Sequence, residues 1–266
     1  MALVATFGTD YLKIRTFSDW AGIAKLVESA HASGWPVSGH IALPLPLIAS
    51  GIDGMEHLGP SGFRTNEIVY DDVVQLFRDA NVWIVPTTVF YSSVVSMIDD
   101  STMLDHPETA PFVTPFLRWW AQRFPGSQRR GPFERYARFT RISTKRLHEG
   151  GVTIAAGSDT PVLPWALHGE LEELVAAGLS PLEAITAATR TAAEVLGASD
   201  EIGTIEEGKW ADLVILNADP LENIRNTRDI WMVIKGGVEV DREALLGWVA
   251  RSASVVGAGA LPLERN

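Results

Sequence analysis

The stretch that most constrains this chain runs from Gly151 to Thr160, because it combines a buried-strand pattern with a carboxylate at its end. Residues 152–156 are apolar, include β-branched side chains and are bounded by glycines, which is typical of a buried parallel strand. A glycine turn follows this strand and presents Asp159. In α/β folds the chemistry collects at the carboxyl ends of such strands, so Asp159 is a candidate site residue.

Two earlier stretches repeat this layout with a histidine in place of the aspartate. Residues 36–41 predict a strand with His40 near its end, and residues 51–58 predict a strand that ends on His57. Taken singly, a histidine after a strand is more often a hydrogen-bonded structural residue than a ligand, and an aspartate after a Gly-Ser turn is often a helix N-cap. Their recurrence at successive strand ends predicts a shared site.

A lysine completes the pattern. The first strand is predicted at residues 3–6 or at residues 11–14, and Lys13 lies near the end of the second choice. An unpaired buried ammonium is costly, so Lys13 must pair with an acid, reach solvent along its stem or be chemically modified. Four strand-like segments that each deliver a potential metal ligand form a pattern that none of them forms alone.

Helical stretches separate these strands. Apolar residues recur at helical spacing in residues 18–33, 67–80 and 135–150, with Ser18 as a candidate N-cap, and residues 44–50 predict a short helix. Strand and helix alternate, which predicts parallel strands joined by crossovers and therefore an α/β fold.

One region interrupts this alternation. Residues 83–89 predict a strand with Tyr91 just past its end, and residues 92–136 then break the rhythm. Residues 111–124 within this region have the pattern of an aromatic amphipathic helix. A long insertion at the carboxyl end of a strand commonly covers a site or a partner surface. Two interpretations stay open, a cover over the site and a plain packing excursion.

The last third of the chain changes its pattern. A helix at residues 166–177 begins near His168, which contacts substrate or simply packs. Ser180 and Glu183 form a capping box for a helix that runs to about Leu196. Short strands and a glycine-paired hairpin follow at residues 203–205, 212–216, 230–235 and 238–240. The pattern predicts a strand-helix domain at residues 1–200, a small β-module at 201–250 and a loosely held tail at 251–266.

Composition excludes several classes of function. The net charge is −11 and no basic stripe offsets it, which argues against a nucleic-acid partner. The chain has no cysteine, so disulfides and thiolate metal sites are excluded. No segment approaches the ~20 apolar residues of a membrane span, and the N-terminus lacks the layout of a signal peptide. We therefore expect a cytoplasmic protein that acts on a small molecule.

The ordered set of site segments resembles the amidohydrolase superfamily. The closest resemblance is to its imidazolonepropionase-like branch, which includes metal-dependent dipeptidases of the Xaa-Pro type, and it covers residues 8–245. The resemblance implies a (β/α)8 barrel that carries a small β-sandwich. The segments that carry it are Tyr11-Leu-Lys-Ile14, Gly39-His40, Glu56-His-Leu58, Gly157-Ser-Asp-Thr160, Leu167-His-Gly-Glu-Leu171, Gly178-Leu-Ser-Pro-Leu-Glu-Ala184, Ala188-Thr-Arg190 and Gly203-Thr-Ile-Glu-Glu-Gly-Lys-Trp-Ala-Asp-Leu-Val214.

The resemblance also implies a role for each matching residue. Lys13, on the fourth barrel strand, would be N6-carboxylated to a carbamate that bridges two divalent metals, with zinc expected. His40 on the fifth strand and His57 on the sixth would bind the second metal. Asp159 on the eighth strand would bind the first metal and act as general base on the bridging water. Carboxylation turns an unfavourable buried cation into an anionic ligand, and two metals about 3.5 to 4 Å apart would activate a shared water.

One part of the family pattern has no counterpart in this sequence. The superfamily's His-x-His pair belongs to the first barrel strand, and residues 1–12 are too few for three strands and their helices. A complete barrel takes roughly 250 residues, so strands four to eight, a partial barrel, are expected here. Lys13, His40 and His57 would supply three ligands, the count of catalytic zinc sites, whereas the first metal would keep only Lys13 and Asp159. One bound metal is therefore expected rather than two.

Two functional hypotheses from different classes follow. The first is a metal-dependent hydrolase of a carbon–nitrogen, ester or lactone bond, with Tyr91 and His168 as substrate contacts, which predicts bound metal that is lost in His57→Ala. The second is a non-catalytic fragment or subunit whose open sheet edges associate, either as a homo-oligomer or with a separate N-terminal partner chain. The second hypothesis predicts no metal and an oligomer or complex.

Overall fold

A parallel sheet with helices packed against one face forms the larger part of the protein. The structure is a computed structural model that describes residues 10–15, 20–40, 44–58, 69–100, 102–106, 109–113, 115–121, 127–160 and 165–249. The predictions for residues 3–6, Ser18 and residues 251–266 lie outside the described residues. Within the described part of the chain, no helix has both the length and the hydropathy that crossing a membrane requires.

Four short strands form the sheet in chain order, and each pairs in parallel with the next. Among the described residues, three helices connect these strands, as the apolar spacing predicts. Glycines or polar turns follow their last residues. The strands are β1 (Leu12–Ile14), β2 (Val37–His40), β3 (Gly54–Glu56) and β4 (Trp83–Val85). The helices are α1 (Trp20–His31), α2 (Pro44–Ala49) and α3 (Asp71–Asp79).

Residues 152–156 run alongside β4 as an extended segment with one parallel bridge, between Ile84 and Ile154. The N–H of Ala155 donates to the carbonyl of Ile84 at 2.9 Å, and the N–H of Ile84 donates to the carbonyl of Thr153 at 2.9 Å. Five parallel segments therefore follow one another across the molecule. The predicted α/β class is confirmed, and the parallel order fits a partial barrel, which stays a prediction.

The predicted strand at residues 83–89 is wrong beyond Val85, because α4 (Thr88–Asp99) begins there. Pro86 has no N–H for the ladder, and Thr87 has a left-handed backbone with φ 51°, so the chain leaves the sheet at this point. Tyr91 lies in the first turn of α4 rather than beyond a strand.

The region after α4 is largely helical and has a small core of its own. Two 3₁₀ helices, Met103–Asp105 and Ala110–Phe112, precede α5 (Pro115–Ala121) and the long α6 (Ser127–Glu149). The helix predicted at residues 135–150 therefore begins earlier and includes the basic residues before it. A separate apolar cluster lies under this region and consists of Met97, Leu104, Val113 and Leu117.

Three helices follow residues 152–156: α7 (Ala166–Ala176), α8 (Pro181–Ala188) and α9 (Arg190–Val195). The capping box of Ser180 and Glu183 is confirmed. The single helix predicted to run to Leu196 is wrong, because Thr189 leaves the helical conformation with φ −124° and ψ −88°. Its hydroxyl donates to the carbonyl of Ile185 at 2.8 Å, and such back-bonding bends helices.

An antiparallel sheet follows, made of β5 (Leu213–Leu216), β6 (Ile230–Lys235) and β7 (Val238–Glu239), and residues 242–249 after it are helical. The predicted hairpin between β6 and β7 is confirmed, since Gly236 and Gly237 both have positive φ. The predicted strand at residues 203–205 is wrong. Gly203 has φ 96°, and a Cβ there would lie 2.5 Å from that of Ala193, so this stretch is a tight turn packed on α9. The division into domains and the β-sandwich stay predictions.

Candidate active site

Polar and aromatic side chains gather on the face of the parallel sheet opposite the helices. Ile14, Val37, Met55 and Ile84 belong to the helix-covered core. Because successive side chains of a strand point to opposite faces, their neighbours face the other way. We call this other side the inner face; its residues are Tyr11, Lys13, Ser38, His40, Glu56 and Trp83.

Lys13 pairs with an acid on the inner face, which is the first of the three outcomes open to it. Its ammonium forms an ion pair with Glu56, whose other oxygen accepts hydrogen bonds from Tyr11 at 2.9 Å and Ser38 at 2.5 Å. Burial raises the pKa of Glu56, but the bonds from Lys13 and Ser38 outweigh it and hold that pKa below its usual value. The result is an ionised carboxylate held by three donors.

His57 is the centre of the site. Its Nε2 lies 3.2 Å from the Lys13 ammonium, and its Nδ1 lies 3.1 Å from the hydroxyl of Thr87 and 3.5 Å from a carboxylate oxygen of Asp159. A lysine ammonium can only donate, so Nε2 accepts and the ring proton is on Nδ1. The Thr87 hydroxyl oxygen then accepts that proton. His57 thus connects the ends of three strand segments.

Backbone conformation is unusual at the same three strand ends. Four non-glycine residues among the described ones have positive φ, and three of them are His57 (69°), Thr87 (51°) and Asp159 (45°). Such conformations cost roughly 1–3 kcal/mol each and cluster at functional sites. A β-branched threonine is especially disfavoured there. The surrounding contacts therefore hold this backbone against its own preference.

The second histidine lies against the first. The ring of His40 is 4.3 Å from that of His57, centroid to centroid, with a tilt of 53°. Burial lowers the pKa of His57 to about 4; the Asp159 carboxylate opposes this shift, and Lys13 adds to it. Burial, together with Lys13, also lowers the pKa of His40. Both rings are neutral near pH 7, the state in which an imidazole binds a metal.

A glycine brings Asp159 into this group. Gly157 passes so close to β4 that a Cβ there would lie 2.6 Å from Val85 Cγ1. The turn that follows directs the carboxylate of Asp159 toward His57 while its side chain stays 54% exposed to solvent. Asp159 therefore contacts both the site and water, as a general base requires.

A cavity of about 290 Å³ lies over the inner face. Trp83 and Tyr11 line its deep end, and a Cβ at Gly54 would lie only 2.1 Å from the Trp83 ring, so this glycine makes room for the indole. Lys13, His57 and Asp159 also line the cavity, whereas His40 is not among the described residues that line it. The rest of the lining consists of Glu56, Val85, Thr87, residues 155–158, Ala192, Val195 and Leu196.

Tyr91, a predicted substrate contact, lies in an aromatic group formed by α4 and α6. Its ring is 5.2 Å from Phe90, 6.5 Å from Phe133 and 5.6 Å from Tyr136. Burial, Tyr136 and the negative charge of Asp159 raise the pKa of Tyr91 to about 12, so the phenol stays protonated and can donate. Among the described residues Tyr91 does not line the cavity, and its substrate role stays a prediction.

His168, the other predicted substrate contact, faces the β-module. Its Nδ1 lies 3.1 Å from the hydroxyl of Thr227 in the 3₁₀ helix Ile224–Arg228. Burial and the nearby Arg228 lower its pKa. The structure does not bring His168 together with Lys13, His57 and Asp159 around the cavity, so a packing role fits its contacts, and its substrate role stays a prediction.

Sequence reasoning missed two residues of the site. Glu56 was available as a signal, because it is an acid at an inward position of an apolar strand. Thr87 gave no signal, because it lies in a stretch of β-branched residues that favours a strand. Its contact with His57 joins residues 30 positions apart.

The side chains are of the kinds that bind a divalent metal, but they do not form a complete site as they stand. Among the described residues, no three His, Asp or Glu side chains are grouped to hold one ion. A carboxylated Lys13 would add the missing anionic ligand beside His57. That change requires Lys13 to leave its ion pair with Glu56, so the arrangement is that of the unmodified lysine.

The chain matches the profile of the amidohydrolase family over residues 15–240. It is 42% identical to the ochratoxinase of Aspergillus niger over 95 residues, which are 34% of this chain and 19% of that enzyme. It is 37% identical to the imidazolonepropionase of Geobacillus thermodenitrificans (strain NG80-2) over 107 residues, which are 37% of this chain and 25% of that enzyme.

Solved structures extend this likeness to most of the chain. A Xaa-Pro dipeptidase with bound methionine in the active site is similar with a TM-score of 0.66 and 22% identity, over 89% of this chain and 55% of the dipeptidase. The Aspergillus niger ochratoxinase is similar with a TM-score of 0.65 and 22% identity, over 90% of this chain and 52% of that protein. At this identity the likeness shows the fold, and the chain spans about half the length of these structures.

Proposed function

Because the chain belongs to the amidohydrolase family, we propose that it hydrolyses a carbon–nitrogen bond of a small molecule, with esters and lactones as related substrates. One observation carries the proposal: Lys13, His40, His57 and Asp159 come from four separate strand ends and converge around one imidazole. The names of the relatives, ochratoxinase, imidazolonepropionase and Xaa-Pro dipeptidase, support hydrolysis of this bond class.

The residues of the site suit the parts of a hydrolysis. Asp159 is exposed at the mouth of the cavity and can take a proton from an attacking water. His57 has its proton on Nδ1, so Nε2 is the acceptor atom of the ring and faces Lys13. Tyr91 keeps its phenolic proton and can donate to a substrate carbonyl if the substrate reaches it. The aromatic rings around Tyr91 favour a substrate with an apolar or aromatic group.

Metal dependence is part of the proposal. A single divalent metal, with zinc expected, would be held by N6-carboxylated Lys13, His40 and His57, with Asp159 beside it as the general base. When bound, such a metal lowers the pKa of a water ligand and polarises the scissile carbonyl. The neutral state of both histidines supports this assignment, since only a neutral imidazole has a lone pair to offer.

The open edges of the sheet favour a second candidate, a subunit completed by further strands. Among the described residues β1 pairs on one side only, with β2. The β-module also exposes large apolar side chains, namely Trp210, Val214, Trp231, Val238 and Trp248. A homo-oligomer or a complex with a separate partner chain would cover them. In this second case the hydrolase site would work only in the assembly.

The test is metal content per chain, on protein of defined oligomeric size supplied with zinc and bicarbonate. We expect about one zinc per chain, the number for which three protein ligands are present. His57→Ala should lose it, and His106→Ala should keep it, because His106 is exposed in the region between α4 and α5. A panel of N-acyl amino acids, dipeptides, cyclic amides and lactones then tests activity. A folded protein that binds no zinc and hydrolyses none of them would overturn the proposal.

A further inference from the structure

A buried acid outside the cavity lining contacts the backbone that supports His57. Glu170 on α7 is 0% exposed, and its Oε2 accepts the N–H of Val89 at 2.8 Å, a contact between residues 81 positions apart. Burial raises the pKa of Glu170 to about 8, and the backbone N–H groups of Val89, Thr88 and Thr87 oppose that shift. Its Oε2 thus bonds an amide two residues after Thr87, and its Oε1 is buried without a hydrogen-bond partner within the described part of the chain.

These amides belong to the start of α4. The first N–H groups of a helix have no partner within the helix and normally require an N-cap side chain. The residue at the N-cap position of α4 is Thr87, and its side chain makes no cap hydrogen bond. Glu170 supplies the acceptor instead, from a different helix. The hydroxyl of Thr87 is consequently available to His57.

Helix α7 packs closely enough on α4 for Glu170 to reach the start of α4. Gly169 packs so closely on α4 that a Cβ there would lie 2.8 Å from Val89 Cγ2. The glycine lets the α7 backbone approach the α4 terminus, and Glu170 follows it directly. Thr87 meanwhile keeps a left-handed φ of 51°, a conformation that a β-branched residue holds only under external constraint.

We propose that Glu170 is a positioning residue that anchors the start of α4, holds Thr87 in its left-handed conformation and thereby fixes the orientation of the His57 ring. This inference deepens the proposed function, since His57 is the central residue of that site. The proposal concerns the His57 ring, so it can be tested by a measurement that does not depend on enzymatic activity.

The first readout is the ring ¹⁵N signals of His57 in protein labelled at histidine, at about pH 8, where unperturbed imidazoles are neutral. The wild type should show the Nδ1–H tautomer. Glu170→Met removes the acceptor at similar size and should shift the Nδ1 signal of His57, because the hydrogen bond from Nδ1–H to the Thr87 hydroxyl is weakened. Thr87→Val removes that hydroxyl and should shift the same signal. The Glu170→Met/Thr87→Val double variant should change the His57 signals by no more than Thr87→Val alone does. Glu170→Gln keeps an oxygen acceptor and should resemble the wild type.

The matched control is Glu173→Met on the same helix, because the Glu173 carboxylate accepts its hydrogen bonds from Arg141 on α6. It should leave the His57 signals unchanged. If Glu170→Met does not fold, Gly169→Ala applies the same test by pushing Val89 away from α7. An unchanged His57 ring in a folded Glu170→Met or Gly169→Ala protein would overturn the inference.

Zinc affinity is the second readout. Loss of a residue that orients a metal-binding histidine commonly weakens affinity about tenfold or more. We expect about that loss in Glu170→Met and Thr87→Val, and none in Glu173→Met. If the wild type binds no zinc, the proposed function fails while the ring signals still decide the positioning role.

Discussion

The two faces of the parallel sheet differ in what holds them together, although they alternate residue by residue on the same strands. On β3, Met55 is fully buried in the helix-covered core, and its neighbour Glu56 takes three donors on the inner face. The covered face is held by burial of apolar area, which is non-directional. The inner face is held by directed bonds between few groups. Substitutions at adjacent residues of one strand should therefore have different effects, on apolar packing at the covered face and on directed bonds at the inner face.

Met55→Ala is expected to have the largest effect, because it empties a fully buried position between sheet and helices. Such truncations cost about 2–5 kcal/mol, the lost transfer energy plus the cavity. The measurement is the free energy of unfolding from urea titration. Met55→Leu nearly conserves volume and should cost less than about 1.5 kcal/mol. Equal losses in the two variants would argue against tight packing of this face.

The next effect is a pH dependence that originates on the inner face. Because burial lowers the pKa of His57 from its ordinary 6.5 to about 4, the unfolded chain binds more protons than the folded one between these values. His57 therefore contributes stability that is full above pH 6.5 and lost as the pH falls through about 4. The stability difference between metal-free wild type and His57→Gln should shrink by about 2–3 kcal/mol over this window.

Glu170 provides a cross-check with the opposite sign. Burial raises its pKa from 4.5 to about 8, so the folded state binds the extra proton and its contribution is full below pH 4.5. That contribution is lost as the pH rises through about 8. The difference in the free energy of unfolding between wild type and Glu170→Gln should therefore decrease as the pH rises through about 8. If the stability differences of His57→Gln and Glu170→Gln changed with pH in the same direction, the pKa directions given for His57 and Glu170 would both be contradicted.

Gly54→Ala tests whether the deep end of the inner face is packed like the covered face. The added Cβ would lie 2.1 Å from the Trp83 ring, so the indole must move. Overpacking of this kind costs about 1–3 kcal/mol, measured by urea titration. Trp83→Leu in the same protein removes the obstructing ring and should recover part of the loss. No recovery in the double variant would place the cause in the backbone of β3.

For residues 11–85 the sequence sufficed for the order of strands and helices, because that order depends on local apolar spacing. It also placed His40 and Lys13 correctly on strands, since alternation fixes the face of each residue. It failed at residues 86–89, where β-branched side chains favour a strand and a single proline decides otherwise. Thr189 ended a helix for a similar reason, a local hydrogen bond that helical periodicity does not reveal.

The site was less predictable than the fold. His57, Asp159 and Lys13 meet because three strand ends meet, which parallel alternation predicts. The partners that orient them, Glu56 and Thr87, depend on side-chain contacts between residues far apart in the chain. A left-handed threonine has no sequence signal of its own. The residues that converge at such a site can thus be predicted from strand ends, whereas the groups that orient them are revealed only by the structure.

The smallest expected effect comes from Glu56→Gln, and it is the most direct test of the contrast between the faces. Lys13 is 37% exposed, so the ion pair is partly solvated and its loss should cost about 1 kcal/mol or less in urea titration. Gln keeps an oxygen for Tyr11 and Ser38 but no charge for Lys13. The Lys13 ammonium then loses its fixed position beside His57, which ring ¹⁵N signals of His57 should detect. A loss near that of Met55→Ala would mean that the inner face also carries the stability of the fold.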